Sequence, residues 1–277
     1  MKEILNFKNL LILSIIILLS SCGKTVDYDD EKEYLTFSYP YSDSPRVLSY
    51  KGLPFNGELV EYFDDEKTQL EERRDYKDGK IDGQYEVYNK NGQLKKNVTY
   101  NEGEVEEEVT YTYHENGQLE YKRTYKEGEL DGPLESYYEN GQLSGKGTYK
   151  NGDRVGTRED YYENGQLESK GTYKDGEEDG QWEYYDENGK LYYKGTYKDG
   201  KEDGQWEYYD ENGQLESKGT YKDGKEDGQW EYYDENGQLE KKSTFKDVEP
   251  TPSEPQYEYD DDGFRIIKDV TKNLFLF

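Results

Sequence analysis

A chain of 277 residues with 31% hydrophobic and 36% charged side chains and a formal charge of -28 lacks the vocabulary of an ordinary globular domain. A field of that sign repels nucleic acid and anionic headgroups, keeps exposed sheet soluble, and steers a basic protein partner towards the chain. Against the low aliphatic content stand 32 Tyr and 3 Trp, whose rings bury large areas, and the absence of Ala disfavours helix.

Residues 1–9 are polar and weakly basic, and Leu10 to Leu19 form an apolar run broken only by Ser14. The run is too short to span a bilayer and has the layout of a signal peptide over residues 1–21. It closes in Leu19-Ser20-Ser21-Cys22-Gly23, which resembles the lipobox of bacterial lipoproteins. That resemblance implies cleavage before Cys22, lipidation of its thiol and a protein anchored to a membrane of the bacterial cell envelope, whether inner, outer or surface. Cys22 is the single cysteine, so no disulfide is expected. Residues 22–51, with Asp27-Tyr28-Asp29-Asp30-Glu31, read as an acidic spacer.

From residue 52 to 247 the chain repeats. Asn-Gly pairs fall at 91–92, 116–117, 140–141, 164–165, 188–189, 212–213 and 236–237, a period of 24 after a first step of 25. Between them lie Asp78-Gly79, Glu102-Gly103, Glu127-Gly128, Asn151-Gly152, Asp175-Gly176, Asp199-Gly200 and Asp223-Gly224. Such pairs favour type I′ turns, whose two central residues need positive φ. Seven units follow, numbered here 1 to 7 by their Asn-Gly pairs, with a degenerate one before them near Phe55 to Phe63. Two turns per unit predict an all-β chain of tandem β-hairpin repeats in an elongated antiparallel meander sheet.

With Asn212 and Gly213 as central turn residues, Trp206 pairs with Gly219, Gly204 with Tyr221, Glu207 with Lys218, Tyr208 with Ser217 and Asp210 with Leu215. Trp206, Tyr208, Leu215 and Tyr221 then share an aromatic face, its rings over glycines, while Glu207 and Lys218 share a charged one. A three-residue loop with a bulge at Gly213 would shift the pairing and mix the faces. The first register is preferred because it yields complementary pairs. Trp182, Trp206 and Trp230 recur as a ladder about 10 Å apart. After the array come a Pro-rich linker over 248–256 and a degenerate hairpin or cap over 257–277.

The unit Gly-Gln-Trp-Glu-Tyr-Tyr-Asp-Glu-Asn-Gly-Gln-Leu (204–215), followed by Gly-Thr-Tyr-Lys-Asp-Gly-Lys-Glu-Asp-Gly (219–228), resembles the MORN-variant repeat, a family that includes many YwqK-type antitoxins. The resemblance covers 52–247 and implies stacked hairpins and a protein-binding or scaffolding role, with an immunity or antitoxin-like version of it. Tyr-Tyr-Asp-Glu-Asn-Gly also resembles cell-wall-binding repeats, which makes carbohydrate the alternative ligand. The candidate binding face is Trp182, Tyr184, Trp206, Tyr208, Trp230 and Tyr232 under either reading.

No catalytic residue, cofactor or metal is expected. The lone His114 stands before a turn, and Glu258, Asp260, Asp262, Gly263 and Asp269 match a calcium loop poorly, with Asp absent from its first position and Glu from its last.

Overall fold

The computed structural model describes residues 24–38, 47–248, 258–259 and 265–266. The signal segment, Cys22, the linker after Val248 and most of the C-terminal hairpin lie outside the described residues. Two compact units divide the chain, Met1–Thr112 with Arg123–Glu129, and Tyr113–Lys122 with Leu130–Phe277.

In the first unit, part of the stretch read as a spacer is built into the fold. Lys24–Asp27 runs parallel to Gly57–Tyr62, with Val26 beside Leu59. Asp27 then caps the one-turn helix Tyr28–Glu31 by accepting the Asp29 N–H at 2.9 Å. Val26, Leu48, Phe55 and Leu59 form a small hydrophobic core. Gly57–Tyr62, Leu70–Lys77, Lys80–Tyr88 and Leu94–Asn101 follow as an antiparallel meander.

The second unit is the same meander in its regular form. Leu143–Lys150, Asp153–Tyr161, Leu167–Lys174, Gly180–Tyr185, Leu191–Lys198, Gly204–Tyr209, Leu215–Lys222, Lys225–Tyr233 and Leu239–Val248 each pair antiparallel with the next. The chain is therefore all-β and built of tandem hairpins, as the turn spacing requires.

The two turn series differ. At Asp223-Gly224 both residues have positive φ, 51° and 80°, and Lys222 pairs with Lys225, as a type I′ turn demands. At Asn212-Gly213 only Gly213 is left-handed, at φ 80°. Gly213 N–H donates to Asp210 O and Asp210 N–H to Gln214 O, both at 2.8 Å. This is a three-residue loop with Gly213 as the bulge residue, not the type I′ turn expected there. Near the turn the expected pairing fails: Leu215 faces Tyr209, not Asp210. One strand residue later a second irregularity, with Glu216 as the extra residue, restores the register. Trp206–Gly219, Gly204–Tyr221, Glu207–Lys218 and Tyr208–Ser217 then pair as expected. The two one-residue slips cancel, so the faces stay separate.

A larger irregularity follows the type I′ turn. Thr220 pairs with Asp227 but Lys218 with Glu231, so the later strand carries two extra residues around Gly228, itself at φ 74°. The bend swings each Trp back over the glycine of the preceding repeat. A Cβ built on Gly195 would lie 2.0 Å from Cδ2 of Trp206, and one on Gly219 would lie 2.1 Å from Cδ2 of Trp230. The indole of Trp206 therefore covers Gly195 and not its own strand partner Gly219, a correction to the sequence expectation that interlocks successive repeats.

Candidate binding surfaces

Packing of the ladder decides what it can offer a ligand. Trp182, Trp206 and Trp230 are 3%, 0% and 3% exposed. Trp206 Nε1 donates to Thr196 O at 3.3 Å, and Trp182 makes the same bond to Thr172 O. Tyr193 stacks on Tyr184 at 4.3 Å and on Trp206 at 6.0 Å, while Tyr197 meets Trp206 edge-on at 5.2 Å. Each such ring pair adds about 0.5–1.5 kcal/mol beyond area burial. Of the six residues on the candidate binding face, the three indoles are core. Tyr184, Tyr208 and Tyr232 are partly exposed and form its outer edge.

The opposite face carries a second ladder. Lys194 reaches Glu207 at 3.0 Å and lies over the Tyr209 ring at 5.8 Å, while the Tyr209 hydroxyl donates to Glu207. Lys218, Glu231 and Tyr233 repeat the rung at 3.2 and 5.5 Å, and Lys146, Glu159 and Tyr161 do so at 2.7 and 5.9 Å. Bonds from Lys242, Tyr233 and Lys218 hold the Glu231 carboxyl down at about 2. These rungs are in contact with solvent, which screens each ion pair. Their charges are already matched.

The paired Trp and Tyr columns of the aromatic face are filled in repeats 5 to 7 alone. Leu134 and Arg158 stand where later repeats have Trp, and Ser136 and Asp160 stand where they have Tyr184, Tyr208 and Tyr232. Gly145 and Ser169 share a column with the ring of Tyr193, in which repeats 6 and 7 carry Ser217 and Lys241. Arg158, 3% exposed, copies the indole by laying its stem over Gly147, where a Cβ would meet Arg158 Cδ at 3.4 Å. Its guanidinium Nε donates to Asp160 Oδ1 at 3.0 Å and Oδ2 at 3.1 Å, and Ser169 Oγ donates to the same carboxylate at 3.2 Å.

Where the rings are missing, a cavity of about 350 Å³ opens at the turn end of the sheet. It is lined by the acidic residues Glu120, Glu139, Asp160, Glu163 and Glu168, by Tyr121, Tyr137, Tyr138 and His114, and by Ser136 and Ser144, whose hydroxyls lie 2.7 Å apart. Ser144 and Glu168 occupy the same bulge position as Tyr192 and Glu216, but Glu168 is buried where Tyr192 and Glu216 are exposed. No Lys or Arg lines the cavity among the described residues. Burial pushes the Glu168 carboxyl up to about 7, and the neighbouring carboxylates of Asp160 and Glu187 reinforce the shift. Carboxylates and ring faces converging here, beyond the Asp160 held by Arg158, suit a positively charged guest able to donate hydrogen bonds.

This hollow escaped the sequence reading, which followed the most regular repeats. Its signal was present in the column of Tyr184, Tyr208 and Tyr232, where Ser136 and Asp160 interrupt the rings. His114, read as a surface turn residue, bonds Tyr137 O through Nε2 at 2.7 Å and lines the cavity. Among the described residues no cluster of His, Cys, Asp and Glu is arranged to hold a metal ion, and no helix is long and apolar enough to cross a membrane.

Tandem hairpins whose rings and ion pairs reach only into adjacent repeats define a repeat protein with a binding or scaffolding architecture. Comparison with known families agrees: the MORN repeat variant matches residues 81–102, 109–127, 130–151, 154–175, 178–199, 202–223 and 226–247, more than half of the chain. The chain belongs to the MORN repeat variant family. No curated protein matches it at a significant level.

Proposed function

We propose that this repeat array is a non-catalytic scaffold that binds a basic protein segment, seating a Lys or Arg side chain in the cavity between repeats 2 and 4, and that a lipid on Cys22 tethers it at the bacterial cell envelope. The observation that supports the reading is the gap in the aromatic ladder. It exposes a recess rich in carboxylates in which Arg158 holds Asp160, while the carboxylates of the opposite face are largely matched by Lys. The formal charge of -28 adds long-range attraction for a basic partner. In an immunity or antitoxin-like setting the basic segment would belong to a toxin. The buried indoles leave a sugar only the tyrosine edges to stack on.

Two measurements test the proposal. Fluorescence anisotropy with an Arg/Lys peptide, an acidic peptide of equal length and a cell-wall oligosaccharide should show saturable binding of the basic peptide alone. Glu163→Gln with Glu168→Gln should weaken it roughly tenfold through loss of charge-assisted bonds. Oligosaccharide binding without peptide binding would replace the proposal with the carbohydrate alternative. For the anchor, Cys22→Ser should abolish incorporation of labelled fatty acid and release the protein from membranes. Unchanged labelling would remove the lipoprotein reading.

A further inference from the structure

We propose that six of the seven Asn-Gly turns fall into two chemical classes, in which Asn91, Asn212 and Asn236 are sites of spontaneous deamidation to aspartate and isoaspartate, while Asn116, Asn140 and Asn164 are protected by the repeat that follows them. The reaction begins when the backbone nitrogen of the glycine attacks the asparagine Cγ. The N–Cγ bond forms, Cγ–Nδ2 breaks, and ammonia leaves with the proton from the glycine nitrogen. Water then opens the succinimide at either carbonyl. The step needs the side-chain amide free to rotate and the glycine uncovered, because glycine offers the attacking nitrogen no steric shield of its own.

The attacking nitrogen is held alike in both classes. Gly213 and Gly237 donate to Asp210 O and Asp234 O at 2.8 Å, and Gly141 and Gly165 donate to Tyr138 O and Tyr162 O at 2.8 Å. The difference lies in the amide. In repeats 2 to 4 both ends of it are bound. Asn140 Oδ1 accepts Gln142 N–H at 2.8 Å and its Nδ2 donates to Glu163 O at 3.0 Å in the next turn. Asn116 and Asn164 do the same towards Glu139 O and Glu187 O, each at 2.7 Å. The side chain of Gln118 also covers Gly141, and that of Gln142 covers Gly165, at 3.0 and 3.1 Å from where a Cβ would be.

In the open class an acid or amide two residues earlier takes over the capping. Asp210 Oδ1 accepts from Asn212 N–H and Gln214 N–H at 2.8 Å, and Asp234 and Asn89 act likewise. No bond ties the side chains of Asn91, Asn212 and Asn236 to the following repeat among the described residues, Asn212 bonding only Asp210 of its own turn, and nothing lies within 4 Å of a Cβ position on Gly92, Gly213 or Gly237. His114, Tyr138 or Tyr162 at that earlier position accompanies a protected turn and Asn89, Asp210 or Asp234 an open one, while repeat 5 is mixed: Asp186 caps the turn, but Asn188 Nδ2 donates to Asp186 Oδ2 at 3.4 Å and Gln166 covers Gly189. The neighbours Glu-Asn-Gly-Gln are the same around Asn140, Asn164, Asn212 and Asn236, so local sequence beyond this position does not separate them.

The test is peptide mapping of the full-length folded protein, incubated at mildly alkaline pH, with fragmentation that separates isoaspartate from aspartate. Asn212 and Asn236 should convert roughly tenfold faster than Asn140 and Asn164, the effect of surrendering about one net hydrogen bond, and the rates should converge in urea. Asp210→Tyr, which gives repeat 6 the residue found at Tyr162, should slow Asn212 to the protected rate while circular dichroism shows the sheet retained. Equal rates in the folded protein, the same ranking in urea, or an unchanged Asn212 rate in a folded Asp210→Tyr variant would overturn the proposal.

Discussion

Trp206 and Gly195 form one joint: the indole lies so close on the glycine backbone that a Cβ there would fall 2.0 Å from Cδ2 and 2.1 Å from Cε2. Gly171 with Trp182 and Gly219 with Trp230 repeat the joint, so each glycine in the Gly-Thr-Tyr segment seats the Trp of the following repeat. Gly195→Ala is therefore expected to cost about 3 kcal/mol by overpacking, since the obstacle is a rigid indole. Gly147→Ala, under the flexible stem of Arg158, is expected to cost less than about 1 kcal/mol. Urea unfolding followed by tryptophan fluorescence checks the first, and circular dichroism the second.

The buried Arg158–Asp160 pair predicts opposite results for removal and replacement. Arg158→Ala leaves Asp160 without its guanidinium and should destabilise the protein by about 3–5 kcal/mol. Arg158→Trp with Asp160→Tyr, which restores the residues found at Trp182 and Tyr184, should be neutral or up to about 4 kcal/mol stabilising, and should fill the cavity. Thermal unfolding of the two variants separates these outcomes.

Glu168 makes stability depend on pH. Its carboxyl titrates near 7 in the folded protein against an ordinary 4.5, so between those values the native state holds a proton that the unfolded chain has released. Stability from this group is present below about pH 4.5 and lost as pH rises through about 7, by at most about 3 kcal/mol. Glu168→Gln should flatten that part of the profile and leave the protein more stable than the parent at about pH 8. A series of denaturation curves across this range measures the difference.

The two turn types predict unequal tolerance. Asp223 sits at φ 51°, so Asp223→Val should cost about 1–2 kcal/mol, and Asp223→Gly should be accepted. Asn212 is not left-handed, and Asn212→Ala should change stability by less than about 0.5 kcal/mol. Urea midpoints of the three variants check the contrast.

Much of this fold was legible because turn glycines at a fixed spacing determine strand number and direction. The pairs Trp206–Gly219 and Glu207–Lys218 were recoverable even from a wrong turn type, because the bulge at Glu216 undoes the slip made at Gly213. Which glycine each indole covers was not legible. It depends on the bend at Gly228 and its equivalents, where two extra residues enter a strand without changing the repeat length. The cavity was missed for a related reason. Periodicity draws attention to what recurs, and this site lies where the later Trp and Tyr give way to Leu134, Ser136, Arg158 and Asp160.

Calorimetric titration of an Arg-containing peptide into the full-length protein tests most directly whether that gap takes a cation. At about pH 8, where Glu168 is charged, binding should be saturable at one site. At about pH 6 it should weaken as the carboxyl protonates, and in the Arg158→Trp, Asp160→Tyr variant it should vanish. Affinity that is the same at both pH values and survives in the filled-cavity variant would contradict the assignment.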